Sequence, residues 1–449
     1  MEISGLTTLA EPMKSEIAIE HTTLGNGLRV VAAPDHAAPV VTVGVFYRVG
    51  SRLEPRGRSG FAHLFEHMMF QGSPNVPKGA HIKLINSSGG RANGSTGYDV
   101  TSYFEAVPSN TLERVLWLEA DRMRALKVDA DNLTNQRNVV KEEIRRNLLN
   151  QPYGSFPWLD LPAVAFRNWA NAHSLYGEFE DLDAAELEDV QAFFKTYYVP
   201  NNAVLVMLGD VDAEEAITLS MKYFADIPAG RRPDFPDTNE PEQKEERCGF
   251  VAETFGTLPA LAVGYRIPER MTVEWGVMAL LDLALHGGRA GRIYQELVIE
   301  KQIAVEACGG IDDLFGSDGP ALMTTELKHR NEHSARQVLA SFDEVIRKVR
   351  ESGVSLRELE QLKLTWLSKY YEELESGGGY IPKCGLMHFL ACLTLFDDNP
   401  HLVNTIPETF LSVTTSEISS VADRYLRSDN RAIVFRAQKR EPHWQRFLP

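Results

Sequence analysis

The chain has 449 residues, of which 43% are hydrophobic and 24% are charged. These are the proportions of an ordinary globular protein, so they exclude a disordered chain, a collagen-like repeat and a disulfide-stabilised miniprotein. At roughly 100–250 residues per domain, the length predicts two to four compact units. The 46 basic and 62 acidic residues give a net charge of −16, which disfavours nucleic-acid binding and favours cationic partners or substrates.

The cysteines and the hydropathy of the chain indicate in which cellular compartment the protein is expected. Cys248, Cys308, Cys384 and Cys392 contain no CxxC spacing, and we expect all four to be buried small side chains in a compartment that is reducing or redox-neutral. No apolar run approaches the ~20 residues that span a bilayer, and the first ten residues lack the features of a signal peptide. The sequence as written predicts a cytoplasmic protein, and a periplasmic location is the alternative if a signal segment has been removed.

The first half of the chain predicts a mixture of strands and helices. β-branched, aromatic and apolar runs predict strands at 28–31, 40–47 and 203–208. Helical patterns lie near 60–70 and over about 109–126 and 131–149. Alternation over 92–107, around a turn at Gly97-Tyr98-Asp99, predicts a hairpin. These elements indicate the α+β class.

The second half repeats the order of the first after a linker. Residues 229–247 are rich in proline and charge and lack apolar periodicity, which predicts a linker between domains at 1–228 and 248–449. The run from Pro39 to Gly44 resembles the run from Pro259 to Gly264. Tyr197, followed by the segment 202–206, resembles Tyr425 followed by the segment 431–435. The matching order predicts two homologous α/β-sandwich domains from an internal duplication; two unrelated mixed domains are the alternative.

The segment His63-Leu64-Phe65-Glu66-His67 carries the chemistry. On a helix, residues i and i+4 lie on one face, so His63 and His67 can offer two imidazole nitrogens to one ion. Glu66 leans toward the same side, where a carboxylate can hold a water beside the metal. Zn²⁺ favours such nitrogens, and a catalytic zinc site needs a third protein ligand and one open position. The neighbouring residues are apolar, so a metal would compensate polar groups that are otherwise costly to bury.

A second segment with the same spacing, His329 to His333, lies among polar and basic residues, and we expect it to be a coincidence at a solvated helix start.

The third ligand should be a carboxylate further along the chain. The helical pattern over 132–149 contains Glu142 and Glu143, and both are candidates. Glu143 lies 76 residues after His67, and helix phase places it beside the apolar residues Val139 and Val140.

These residues resemble the insulinase (pitrilysin) family, which includes mitochondrial processing peptidase. HLFEH is similar to the inverted HxxEH motif of the inverzincins. The segment from Gly89 to Gly94, with Asp99 and Thr101, resembles the edge-strand hairpin of the family, and the segment 139–144 resembles its ligand helix. The similarity extends over nearly the whole chain and points to the half-size subfamily, in which two subunits of two domains each close like a clamshell.

The resemblance implies a zinc metalloendopeptidase with one Zn²⁺ per chain. It implies His63, His67 and Glu143 as metal ligands and Glu66 as the catalytic base. It also implies that the peptide substrate binds as an added β-strand at the hairpin edge, with Asn93, Gly94 and Arg292 among the substrate-binding residues.

Two positions depart from the family pattern. Gln136 stands where many members have a second glutamate, so any accessory role there lacks a charge. Val305 stands where a tyrosine usually follows the arginine, and valine cannot donate a hydrogen bond to an oxyanion. We therefore expect a heterodimer in which a homologous partner subunit supplies the tyrosine. The alternatives are a homodimer that acts without it, and a non-catalytic peptide-binding or scaffold subunit of the same fold.

Overall fold

The computed structural model describes residues 16–311, 314–376 and 381–438. A six-stranded sheet forms the centre of the first domain, with strand order β1-β2-β6-β3-β5-β4. The strands are β1 (Glu20–Thr23), β2 (Arg29–Pro34), β3 (Val40–Tyr47), β4 (Arg91–Thr96), β5 (Thr101–Pro108) and β6 (Ala203–Gly209). The pairing of β2 with β6 is parallel and the other pairings are antiparallel.

Nine helices belong to the described part of the chain before the linker. They are α1 (Phe61–Met68), α2 (Ala80–Ser87), α3 (Leu112–Arg124), α4 (Ala130–Ile144), α5 (Asp160–Ala165), α6 (Trp169–Ala172), α7 (Phe179–Asp183), α8 (Leu187–Tyr197) and α9 (Ala213–Phe224). Residues 145–149 continue α4 as a single π-helical turn.

A five-stranded sheet forms the centre of the second domain, with strand order β7-β11-β8-β10-β9. Its strands are β7 (Arg247–Glu253), β8 (Ala260–Arg266), β9 (Ala304–Ile311), β10 (Leu322–His329) and β11 (Arg431–Gln438). Its helices are α10 (Val273–His286), α11 (Arg292–Tyr294), α12 (Ala335–Ser352), α13 (Leu356–Ser376), α14 (Cys384–Asp397), α15 (Leu402–Leu411) and α16 (Thr415–Tyr425).

The two sheets share one topology. In each, a parallel pair (β2 with β6, β7 with β11) is followed by three antiparallel neighbours in the same chain order. The side chain of Asn202 donates to the carbonyl groups of Tyr197 and Arg48, at 2.9 and 3.1 Å. Asn430 repeats this with Tyr425 and Arg266, at 2.8 and 3.0 Å. The structural counterpart of Asn202 is thus Asn430, one residue before the position that the sequence comparison paired with it.

One face of the first sheet packs on the second domain. β6 is buried along its whole length because both of its faces are covered. The Sδ atom of Met387, on α14, would lie 2.6 Å from a side chain at Gly44, on β3. The Arg29 guanidinium donates to the carbonyl of Thr394 at 2.8 Å. This face of the first sheet is therefore a domain interface, and the opposite face carries α1, which in turn packs against α4.

The predicted strands, hairpin and long helices of the first half are present, with small shifts at their ends. Two expectations were wrong. Cys308 is exposed because it lies on the edge strand β9, and Cys248 and Cys384 are only partly buried. His329 to His333 is no helix start, because His329 ends β10, Asn331 and Glu332 form a turn, and α12 begins only at Ala335. Among the described helices, none is long and apolar enough to cross a membrane.

Candidate metal centre

The start of α1 is held by a buried carboxylate. The two oxygens of Glu54 accept hydrogen bonds from the backbone N–H groups of Gly60 and Ala62, each at 2.8 Å. These N–H groups are among those that a helix leaves unsatisfied at its first turn, and negative charge is favoured there. His173 also contacts Glu54, through Nε2 at 3.1 Å. Burial raises the pKa of Glu54, and the contact with His173 acts against this rise.

A pair of glycines brings a second loop against α1. Gly60 and Gly177 both have positive φ, at 83° and 76°. A Cβ on Gly177 would lie 2.4 Å from the Cα of Gly60, so neither position has room for a side chain. The loop before Gly177 therefore places Tyr176 edge-on against His63, with ring centroids 4.8 Å apart. No spacing in the sequence pointed to Tyr176.

α1 and α4 bring three donor groups together. The Nε2 atom of His67 lies 3.2 Å from one carboxylate oxygen of Glu143, and Nε2 of His63 lies 3.7 Å from the other. The three donor atoms lie within 4.8 Å of one another. Ligands at Zn–N and Zn–O distances of about 2.0–2.2 Å in a tetrahedral site are about 3.3 Å apart. The donor types and their separations therefore fit one zinc ion.

The two candidate glutamates of α4 point in different directions. The side chain of Glu143 is 23% exposed and faces the histidines, whereas that of Glu142 is 72% exposed and pairs with Arg145 at 3.3 Å. Successive residues of a helix are about 100° apart around its axis, so only one of the two can face α1. The side chain of Asn147 donates to Glu143 at 3.5 Å, a long contact.

The protonation states of the donors suit a metal. Burial, together with the neighbouring His67, lowers the pKa of His63 to about 4, so its imidazole is neutral at pH 7. The hydrogen bond with His67 lowers the pKa of Glu143, so this carboxyl is ionised. Neutral imidazole and ionised carboxylate are the forms that bind metals.

Glu66 lies between α1 and the edge strand β4. Its Oε2 atom accepts a hydrogen bond from the Thr96 hydroxyl at 2.7 Å. A Cβ on Gly94 would lie 3.0 Å from Cγ of Glu66, which is tighter than an ordinary contact. Burial raises the pKa of Glu66. Thr96 is a further site residue that the motif did not reveal, although strand alternation places it on the same face as Gly94.

The remaining predicted site residues lie away from these donors or pair with other side chains. Asn93 is exposed on β4, on the face opposite to Gly94, because successive side chains of a strand alternate. Gln136 is buried on α4. The guanidinium of Arg292 donates to both carboxylate oxygens of Glu358, at 2.8 and 2.6 Å. Val305 is exposed on the edge strand β9.

A second cluster has donor types that could suit a metal. His81, Glu105 and Glu119 are buried with donor atoms within 4.8 Å of one another. The guanidinium of Arg122 contacts both carboxylates, however, and already supplies the positive charge that a cation would bring. Burial, and then the charge of Arg122, lowers the pKa of His81 to about 3. We interpret this cluster as a buried ion-pair network that supports the hairpin.

Two family models match successive parts of the chain. A family model described as insulinase (peptidase family M16) matches residues 29–176, and one described as peptidase M16 inactive domain matches residues 184–365. The zinc protease PqqE of Helicobacter pylori is 28% identical over 448 residues, which cover 96% of each chain.

A crystal structure of a protease from Helicobacter pylori superposes with a TM-score of 0.85 at 26% identity, over 94% of this chain and 100% of that one. A probable mitochondrial-processing peptidase subunit beta of Arabidopsis thaliana is 29% identical over 206 residues, which cover 46% of this chain and 38% of that protein.

Proposed function

Since the chain belongs to the insulinase family of peptidases, we propose that it is a zinc-dependent endopeptidase that hydrolyses peptides or unfolded segments. One observation carries the proposal: His63, His67 and Glu143 place three donor atoms within 4.8 Å of one another. Glu66, next to His67 in the chain, lies between these donors and an open sheet edge. A structural zinc site normally uses four protein ligands, whereas this donor set leaves a position for the reaction.

The chemistry divides between the ion and the side chains. A bound zinc ion supplies Lewis-acid chemistry, which acidifies water and polarises a carbonyl group. Glu66 acts as the general base and receives a proton at Oε1, because Thr96 already donates to Oε2. Glu66 then returns this proton to the leaving amine. The Thr96 hydrogen bond orients the carboxylate between the donors and the substrate strand.

The substrate binds along β4. This strand pairs with β5 on one side and is the last strand of its sheet, so its other side can pair with an extended peptide. Because Gly94 has no side chain, the peptide backbone can approach Glu66 closely. Hydrogen bonds to the main chain discriminate little between peptide sequences, so pockets beside the strand that accept substrate side chains must supply the selectivity.

Peptide hydrolysis with and without a chelator tests the proposal. We expect Glu66→Gln to keep one zinc ion per chain and to lose about 10²–10⁴-fold in kcat, the usual contribution of a general base. We expect His67→Ala to lose both the zinc ion and the activity. Hydrolysis that survives complete removal of the metal would contradict the proposal. A chain that binds zinc and peptide but never hydrolyses it would instead be a non-catalytic peptide-binding subunit.

The family resemblance assigns oxyanion stabilisation to an arginine and a tyrosine, and we propose that a homologous partner subunit supplies the tyrosine. Arg292 is engaged by Glu358, and Val305 has no hydrogen-bonding side chain. The similarity to a protein named as a subunit of a processing peptidase supports this arrangement.

We expect the purified chain to hydrolyse peptides slowly and to gain about 10²–10³-fold when the partner supplies an oxyanion donor. Steady-state kinetics with and without the partner measures this gain. Full activity of the isolated chain, as a monomer or a homodimer, would reject the heterodimer.

A further inference from the structure

The edge strand β4 has two faces with different surroundings. Gly94 and Thr96 face α1, where each contacts or approaches Glu66. Asn93 and Ser95 therefore face the other way, and they line a cavity of about 340 Å³. This cavity lies at the domain interface, between β4 and the helices α13 and α14.

The cavity combines apolar walls with several polar groups and one carboxylate. Phe46 and Phe104 of the first sheet, Val100 of the hairpin turn and Met387 of α14 form its apolar walls. The polar side chains that line it besides those of β4 are Ser102, Cys384 and His388. Glu373, in the last turn of α13, adds the one carboxylate among its lining residues. Within the described part of the chain, no cation lies within ion-pair distance of Glu373, although Lys369 is one helical turn away. Apolar walls beside an exposed carboxylate suit a long side chain with an apolar stem and a cationic head.

The geometry of strand addition directs a substrate side chain into this cavity. Successive residues of an added strand point to opposite faces. If the scissile bond lies beside Glu66, the side chains that flank it point to opposite faces, one toward α1 and the other toward Asn93 and Ser95. We propose, on the basis of the proposed function, that the cavity is a specificity subsite for lysine or arginine and that Glu373 is its selectivity residue.

Peptide binding to a catalytically silent chain tests this inference separately from turnover. The probes are fluorescein-labelled, alanine-based decapeptides that carry one Lys, Arg, Glu or Leu at each position in turn. Their dissociation constants for zinc-loaded Glu66→Gln protein are measured by fluorescence anisotropy. At one position we expect Lys and Arg peptides to bind about 10- to 100-fold more tightly than Glu peptides, the usual range for a charge-assisted hydrogen bond.

Two further substitutions in the Glu66→Gln background locate the effect. Glu373→Gln removes the charge with little change in shape, and we expect the preference for Lys and Arg to disappear while the affinity for Leu peptides stays the same. Glu372→Gln is the matched control, because Glu372 is exposed on α13 like Glu373 but does not line the cavity. This variant should keep the preference.

Equal effects of Glu373→Gln and Glu372→Gln, a preference for Leu at every position, or no peptide binding would overturn the inference. Failure of the proposed function looks different. In that case the silent variant binds Lys and Arg peptides selectively, yet zinc-loaded wild-type protein, alone or with its partner, leaves the same peptides uncleaved.

Discussion

Glu142 and Glu143 are identical side chains at adjacent positions of α4, and helix phase alone separates them. Glu143 lies 3.2 Å from Nε2 of His67, whereas Glu142 extends into solvent beside Arg145. Substituting each glutamate in turn gives an experiment with an internal control, because each substitution removes one carboxylate from the same helix.

We expect Glu143→Gln to weaken zinc binding by at least about 10–100-fold, since even changes to groups that only support a ligand cost this much. Glu142→Gln should leave zinc affinity within about twofold of wild type, because a change of one exposed charge is usually worth less than 0.5 kcal/mol. Competition with a chromogenic chelator measures both affinities. Equal losses in the two variants would remove Glu143 from the ligand set.

At the scale of the element, α1 depends on a residue outside it. Glu54 is buried and accepts from two N–H groups of the first turn, at 2.8 Å each. The HxxEH spacing ensures that two histidines share a face, but Glu54 and the contact between Gly60 and Gly177 orient that face toward α4.

Glu54→Ala should lower the free energy of unfolding of the metal-free protein by about 1–3 kcal/mol, because it leaves buried donors without partners. Zinc affinity should fall as well, since α1 carries two of the three ligands. Urea unfolding in the presence of a chelator and a separate zinc titration give the two values.

Glu214→Ala serves as the control, because Glu214 is an exposed carboxylate in the first turn of α9. Its effect should stay below about 0.5 kcal/mol. If Glu54→Ala is as stable as this control and binds zinc normally, the carboxylate does not support α1.

At the scale of the whole molecule, buried charges join the two domains. Asp99, in the turn of the β4–β5 hairpin, pairs with buried Arg52 and accepts from the N–H of Asp318 at 2.9 Å. Arg52 donates in turn to the carbonyl of Pro320 at 2.7 Å. The hairpin that is proposed to bind substrate is thus tied to the second domain, which also supplies Glu373.

A second junction makes stability depend on pH. Glu253 ends β7, accepts the N–H of Tyr153 from the first half of the chain at 3.1 Å and pairs with Arg436 at 2.5 Å. Burial alone would raise the pKa of Glu253, but hydrogen bonds from the N–H groups of Phe255 and Gly256 and from Arg436 lower it to about 2. Because the folded state lowers this pKa, the stabilisation is full above the unfolded value of about 4.5 and is lost as pH falls toward 2.

Glu253→Gln should therefore reduce the free energy of unfolding by about 3 kcal/mol at pH 7, the cost of breaking a buried ion pair. The difference from wild type should hold down to about pH 5 and shrink at lower pH. Urea unfolding of both proteins between pH 7 and pH 3 tests this. The exposed Glu242→Gln variant should show no such trend, and a difference that grows on acidification would contradict the assignment.

Local patterns in the sequence determined the α+β class, the hairpin, the long helices and the helical face shared by His63 and His67, because periodicity and turn chemistry act between near neighbours. The shared topology of the two sheets bears out the predicted pair of homologous domains. The sequence comparison, however, paired Asn202 with Arg431, whereas its structural counterpart is Asn430. The boundaries at 228 and 248 and the catalytic roles remain predictions.

Only the tertiary structure decided which groups meet. It brought Glu143 rather than Glu142 to the histidines, placed Tyr176, Thr96 and Glu54 around α1, and left Cys308 exposed. It also formed the cavity between β4 and α13 from segments about 280 residues apart in the chain. Such contacts depend on how distant elements pack, and no local period in the sequence records that packing.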